Sequence, residues 1–213
     1  MRRVRHHAGG EQKPMIDIDV TVSGVEDVER RLGKMKDQAP KVLRSAINST
    51  AVEARKILAQ EAQSRYTVKN PGFNSAAKIR RATVSNLVAT IQAGGKRLDI
   101  PRFHVTRPRS HKKGAPGAKA EVVAGGGLKE IRGSSGIKAF SSTVPSGKSR
   151  TKQILQRQGA ARYPVQVLHS VSVPKMLEMV YEGRGAAKRA LKPEIQKIYS
   201  QKVNQKIGEL MGK

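Results

Sequence analysis

The sequence has no cysteine and no tryptophan, and only seven Phe and Tyr residues among 213. The first absence excludes disulfides and thiolate zinc sites, and it fits a reducing compartment. The scarcity of aromatics means that any core is aliphatic. Leu, Ile, Val and Phe together supply 47 residues, little above the level at which a strongly charged chain stays disordered. Composition therefore allows two readings: a chain folded throughout, or one of which part orders on a partner. No apolar run approaches the roughly 18 residues of a membrane span. No signal-peptide core follows the basic N-terminus either, so a soluble protein made in the cytoplasm is expected.

Acids are also scarce. Lys and Arg number 42 against 16 Asp and Glu, a net charge of +26. Such a charge opposes compaction and attracts polyanions. It is concentrated: from Ala62 to Leu177 the only acids are Asp99, Glu121 and Glu130, against 22 basic residues. The partner is then nucleic acid, an acidic protein surface or an anionic membrane.

Carboxylates this sparse leave little for general acid–base chemistry, which needs positioned and tuned groups. The five histidines (His6, His7, His104, His111 and His169) do not have metal-ligand spacing, and no serine sits in a nucleophile elbow. "VPSGKSRT" ends like a phosphate-binding loop at Gly147, Lys148 and Ser149. Ser142 stands where that motif needs its first glycine, so it reads as a basic loop. Gly125, Gly126 and Gly127 lack the strand–helix frame of a dinucleotide site and read as a turn. No enzyme, metal or cofactor is expected.

What is present is pattern. Residues 1–14 read either as a flexible basic leader or as a segment upstream of a true start at Met15, which stands directly before the first patterned segment. "MIDIDVTVSG" alternates apolar and polar residues as a half-buried strand does. Ser23 and Glu26 have capping-box spacing, which predicts a helix over Val25–Asp37. Leu43, Ala46, Ile47, Thr50, Ala51, Ala54, Ile57, Leu58 and Ala62 keep helical spacing over about 40–65, with Pro40 suited to the first turn. A short basic helix is expected near 75–82. "NLVATIQAGG" and "RLDIPRFHV" read as a hairpin turning at Gly94-Gly95, and "AEVVAGGG" and "LKEIRG" as another strand pair. "KQILQRQ" and "YPVQVLHSVSV" read as extended. Pro174 opens a helical region interrupted near Gly183 and Gly185, and an apolar stripe from Leu191 to Leu210 follows. This order predicts an α+β fold, with an N-terminal strand and long amphipathic helices on a mostly antiparallel sheet. The divisions are 15–182 for the main domain and 183–213 for a C-terminal helix, a candidate oligomer contact.

The densest basic cluster is "RFHVTRPRSHKKG", holding Arg102, Arg107, Arg109, Lys112 and Lys113. Phosphate contacts demand little geometric precision, so it could meet nucleic acid without reading sequence. It could equally dock on an acidic protein. Phe103 and Tyr163 are too few for the stacking platforms of single-strand binders.

The segment "QRQGAARYPVQVLHSVSVPKM" resembles the C-terminal signature of the minor tail protein Z family of long-tailed bacteriophages. The positions that carry it are Arg157, Gly159, Arg162, Pro164, Val165, Val173 and Pro174. Upstream, "AINSTAVEAR", "KIRRATV", "LDIPRF" and "GIKAF" are similar in order, and the likeness covers roughly 15–190. It implies a structural virion protein that completes the head-proximal end of the tail, assembled in the bacterial host. Its partners would be further copies of itself in a ring, the tail terminator, the head–tail connector and genomic double-stranded DNA, with no membrane. Arg162 and Tyr163 before Pro164 would form a corner positioning the last helix. The alternative is a free nucleic-acid-binding protein without sequence preference. A role at a membrane surface is the third and weakest reading.

Overall fold

The computed structural model describes residues 15–21, 24–106, 116–132, 136–146, 149–187 and 189–212. Strand β1 (Met15–Thr21) alternates as its sequence requires, with Ile18 and Val20 buried and Asp17 and Asp19 exposed. Helix α1 (Val25–Leu32) starts where expected, but its cap is Gly24 in the left-handed conformation, with no side-chain capping bond. Ser23 lies outside the described residues. The helix is shorter than its sequence suggests. Gly33 adopts φ +54, and residues Gly33–Gln38 form a 3-10 turn in which Met35 is not helical.

Helix α2 (Ala39–Arg65) is the spine of the molecule, with Pro40 in its first turn. Its buried face carries Leu43, Ala46, Ile47, Ala51, Ala54, Leu58 and Ala62. The alanines at this spacing let neighbouring elements approach closely, and the larger side chains fill between them. Burying each Leu or Ile here contributes about 1.5–3 kcal/mol. Thr50, fully buried, returns its hydroxyl proton to the Ala46 carbonyl at 2.8 Å.

The basic helix expected near 75–82 is instead a single turn, α3 (Phe73–Ala76), followed by strand β2 (Ala77–Arg80). Strand β3 (Val88–Gly94) pairs antiparallel with both β1 and β2, giving a sheet of order β1–β3–β2. Pairing of Ala77 with Ala93 and Ile79 with Ile91 overrides the helix preference of Ala, Lys and Arg in that segment.

The expected hairpin at Gly94-Gly95 does not form. Strand β4 (Arg97–Asp99) leaves the sheet and pairs far along the chain with His169–Ser172. A 3-10 turn, Ile100–Arg102, then leads to β5 (His104–Thr106), which pairs with β6 (Lys119–Glu121). β6 pairs in turn with β7 (Lys129–Glu130), as the strand pattern there predicts. A third sheet joins β8 (Phe140–Ser146), β9 (Ser149–Arg157) and β10 (Val165–Val167), with β9 central. β11 (His169–Ser172) completes the pair with β4 and leads directly into α4 (Val173–Glu182).

Helix α4 is capped by Ser172, whose hydroxyl accepts from the Lys175 amide, and Pro174 sits in its first turn. It ends at Gly183 in the left-handed conformation. The last helix, α5 (Lys192–Met211), packs along α2 and buries Ile195, Ile198, Tyr199, Val203 and Ile207. Its apolar stripe is therefore part of the chain's own core. That core joins one face of the β1–β3–β2 sheet to α1, α2, α4 and α5. A smaller cluster of Ile100, Ala118, Ala120, Ala139 and Ile154 holds the β5–β7 sheet against β9. The architecture is α+β, with antiparallel sheets throughout.

Candidate basic interface

The three acids of the basic middle segment are each engaged in holding backbone or side chains in place. Glu121 accepts from His104 Nδ1 at 2.9 Å and from the amides of Gly125 and Gly127 at 3.0 and 3.2 Å. The His104 bond, followed by the Gly127 amide, holds its carboxyl below the ordinary carboxylate range. The triple glycine is the turn expected from its composition, and Gly125 and Gly127 have positive φ. Glu130 accepts from the Gly117 amide at 2.9 Å and from Arg132 at 2.7 Å. Its carboxyl is likewise lowered, first by the Gly117 amide and then by Arg132. Asp99 accepts from Gln153 and His169, each at 2.9 Å. These contacts neutralise few of the surrounding bases, so the surface stays strongly positive.

Arg102 ends the Ile100–Arg102 turn. It donates from Nη2 to the Asn70 carbonyl at 2.8 Å, and its own carbonyl accepts from the Lys69 amide at 2.8 Å. It thus fastens the 69–70 loop while its side chain remains exposed. Arg107, Arg109, Lys112 and Lys113 lie outside the described residues, as do Gly147 and Lys148. Phe103 is fully buried and serves the core.

The family-motif residues divide into two places. Arg157, Gly159, Arg162, Tyr163 and Pro164 gather where β9 turns into β10. There Arg157 pairs with Val165, and the Gln158 amide donates to the Pro164 carbonyl at 3.1 Å. The Tyr163–Pro164 peptide is cis. Tyr163 is 67% exposed, and the Arg162 guanidinium lies 5.7 Å from its ring centroid, within cation–π range. Pro174 is separate from this turn. It is fully buried at the start of α4, where a Cβ on Gly95 would lie 3.6 Å from its ring. The turn itself is a basic, solvent-facing tip, and Arg150, Lys152 and Arg157 extend exposed positive charge along β9.

A second basic surface escapes sequence reasoning. A cleft of about 1030 Å³ lies between α2 and the segment after β2, and Arg44, Arg55, Lys56 and Arg81 line it. Its one acid, Glu53, is paired with Lys202 Nζ at 3.2 Å. Asn48 joins the two walls, donating to the Ala82 carbonyl at 3.2 Å and accepting from its amide at 2.9 Å. Arg44 and Arg55 stand about three helical turns apart on nearly one line along α2, and Lys56 flanks them. Arg81 reaches them only through the tertiary fold.

Together these features define a class: an α+β protein with antiparallel sheets and a strongly basic surface. None of its described helices is long and apolar enough to cross a membrane. The model of the prophage minor tail protein Z family matches residues 22–212, and the chain belongs to that family. The match runs through α5, beyond the span that the sequence motifs suggest. It makes the chain a structural component of a phage tail and so of the virion. No curated protein and no solved structure matches the chain.

Proposed function

We propose that the chain completes the head-proximal end of the phage tail as an oligomeric neck component that joins tail to head. Its neighbours there are the tail terminator and the head–tail connector, with the end of the double-stranded genome in the channel. The observation that carries this reading is the uncompensated basic surface on a member of a tail-protein family. In such a setting, arginines and lysines contact phosphate without reading sequence. The same charge also steers docking onto acidic neighbouring rings.

The test is made on tails assembled without this chain. They should reach normal length and join filled heads poorly, and added purified chain should restore joining. Tails that join heads normally in its absence would remove the neck assignment.

A second reading, a free nucleic-acid-binding protein, draws on the exposed tip with Arg157, Arg162 and Tyr163. It predicts recovery of the chain on cellular nucleic acid rather than in virions.

A further inference from the structure

Among the described residues no strand lies beyond either edge of the β1–β3–β2 sheet, and the two edges carry opposite charge. On the face turned away from the core, strand register sets two rows across the sheet: Asp17, Gln92, Lys78 and Asp19, Thr90, Arg80. Each row runs from an acid on the β1 edge, through a neutral polar residue, to a base on the β2 edge. All four charged residues are exposed. Among the described residues none of them is in an ion pair. Asp19 accepts one bond, from Thr90 Oγ1 at 2.7 Å.

The edges are unfinished in other respects. Edge strands present backbone N–H and C=O groups without a partner strand. Ile16 and Ile79, on the core face at the two edges, are only half-buried, whereas Ile91 on the central strand is buried. Beside β1 a cleft of about 640 Å³ lies between the strand and α5, lined by Asp17, Asp19, Tyr181 and Gln196 among others, with Lys192 of α5 the one base in its lining. The last helix therefore does not close that edge.

We infer that copies of this chain assemble head to tail by strand addition, the β2 edge of one pairing with the β1 edge of the next. Both edge strands run antiparallel to β3, and hence parallel to each other. An operator that keeps the same sheet face outward lays β2 parallel to the neighbour's β1. The charged rows then continue across the junction, with Lys78 beside Asp17 and Arg80 beside Asp19. Pairing of like edges would instead bring like charges face to face, which is destabilising. A contact between two different surfaces closes into a ring or extends into a filament, whereas a two-fold contact stops at a dimer. The inference rests on the oligomeric part of the reading above and names its interface, independently of where in the tail the oligomer sits.

The chain has no cysteine, so the test uses a double variant, Asp17→Cys with Lys78→Cys. Within one chain the two positions are separated by the width of two strand spacings, roughly 10 Å. That exceeds the ~7 Å limit for a disulfide, so every bridge joins two copies. Mild oxidation of the full-length chain, in solution and in purified tails, should give a non-reducing ladder extending beyond dimers. Either single variant should stay monomeric on the gel. Dimers from a single variant, or no ladder in tails that hold several copies, would overturn the interface and leave the tail role standing. A ladder in solution with the chain missing from tails would do the reverse.

A second measurement guards against loss of folding. Asp17→Lys/Asp19→Lys and Lys78→Asp/Arg80→Asp chains should each fail to self-associate in sedimentation and should associate when mixed. Failure of the mixture, with both chains folded by circular dichroism, would also overturn the interface.

Discussion

Glu121 and His104 face each other across the first rung of the β5–β6 pair, with the carboxylate 2.9 Å from the ring nitrogen. The other carboxylate oxygen holds the Gly125–Gly127 turn through two amides. Because folding lowers the carboxyl pKa, the unfolded chain binds this proton more readily than the folded one. The stabilisation is complete above the ordinary carboxylate range and is lost as pH falls through that range to the folded value. Glu130 behaves in the same sense. A Glu121→Gln/Glu130→Gln variant should be less stable than the parent at neutral pH and should lose less on acidification. Denaturant midpoints across the acid range check this, and parallel curves for the two proteins would contradict it.

Asn48 ties α2 to the segment after β2 through both the amide and the carbonyl of Ala82. Ala82 is buried, so removing the partner strands two backbone groups. Asn48→Leu should cost about 1–3 kcal/mol. It should also speed hydrogen exchange at the Ala82 amide more than at Ile91, in the central strand. Uniform acceleration at both sites would assign the loss to the core instead.

Gly183 separates α4 from the approach to α5. Its φ is +72, and a Cβ there would lie 2.5 Å from the Ala190 backbone nitrogen. Gly183→Ala should therefore destabilise the fold by more than the ~1 kcal/mol that a left-handed conformation alone costs a side chain. Gly159→Ala is the control, since a Cβ at that position meets nothing within 4 Å. Thermal midpoints compare the two directly.

Arg150, Lys152, Arg157 and Arg162 are exposed on the β9–β10 ribbon. Their replacement by alanine should change folding stability by no more than about 0.5 kcal/mol each. If the ribbon meets duplex DNA, each lost phosphate contact lowers the slope of log affinity against log salt by about 0.9. Anisotropy titrations at several salt concentrations read that slope. An unchanged slope would leave DNA contact to another surface.

Elements whose apolar period is long or strict were legible in the sequence. The alternation of Ile16, Ile18 and Val20 marks β1, and the stripes of α2 and α5 are the faces that the core buries. The motifs carried the family. Failures came where distant pairing outweighed local preference. Residues 77–80 have helix-forming composition, yet β3 recruits them as a strand. Gly94-Gly95 has the composition of a hairpin turn, but Gly95 lies against Pro174 and the chain passes on to β11. The α2 cleft was invisible for the same reason, since Arg81 joins Arg44 and Arg55 only in three dimensions. The opposed charges of the two sheet edges likewise acquire meaning only when register places them in rows.

The most direct measurement is the copy number of this chain in purified tails and in complete virions, by quantitative mass spectrometry against a tail protein of known stoichiometry. A neck component should be present at a small fixed number per particle, the same in tails and virions and independent of tail length. Absence from both, or a number that rises with tail length, would contradict the neck assignment.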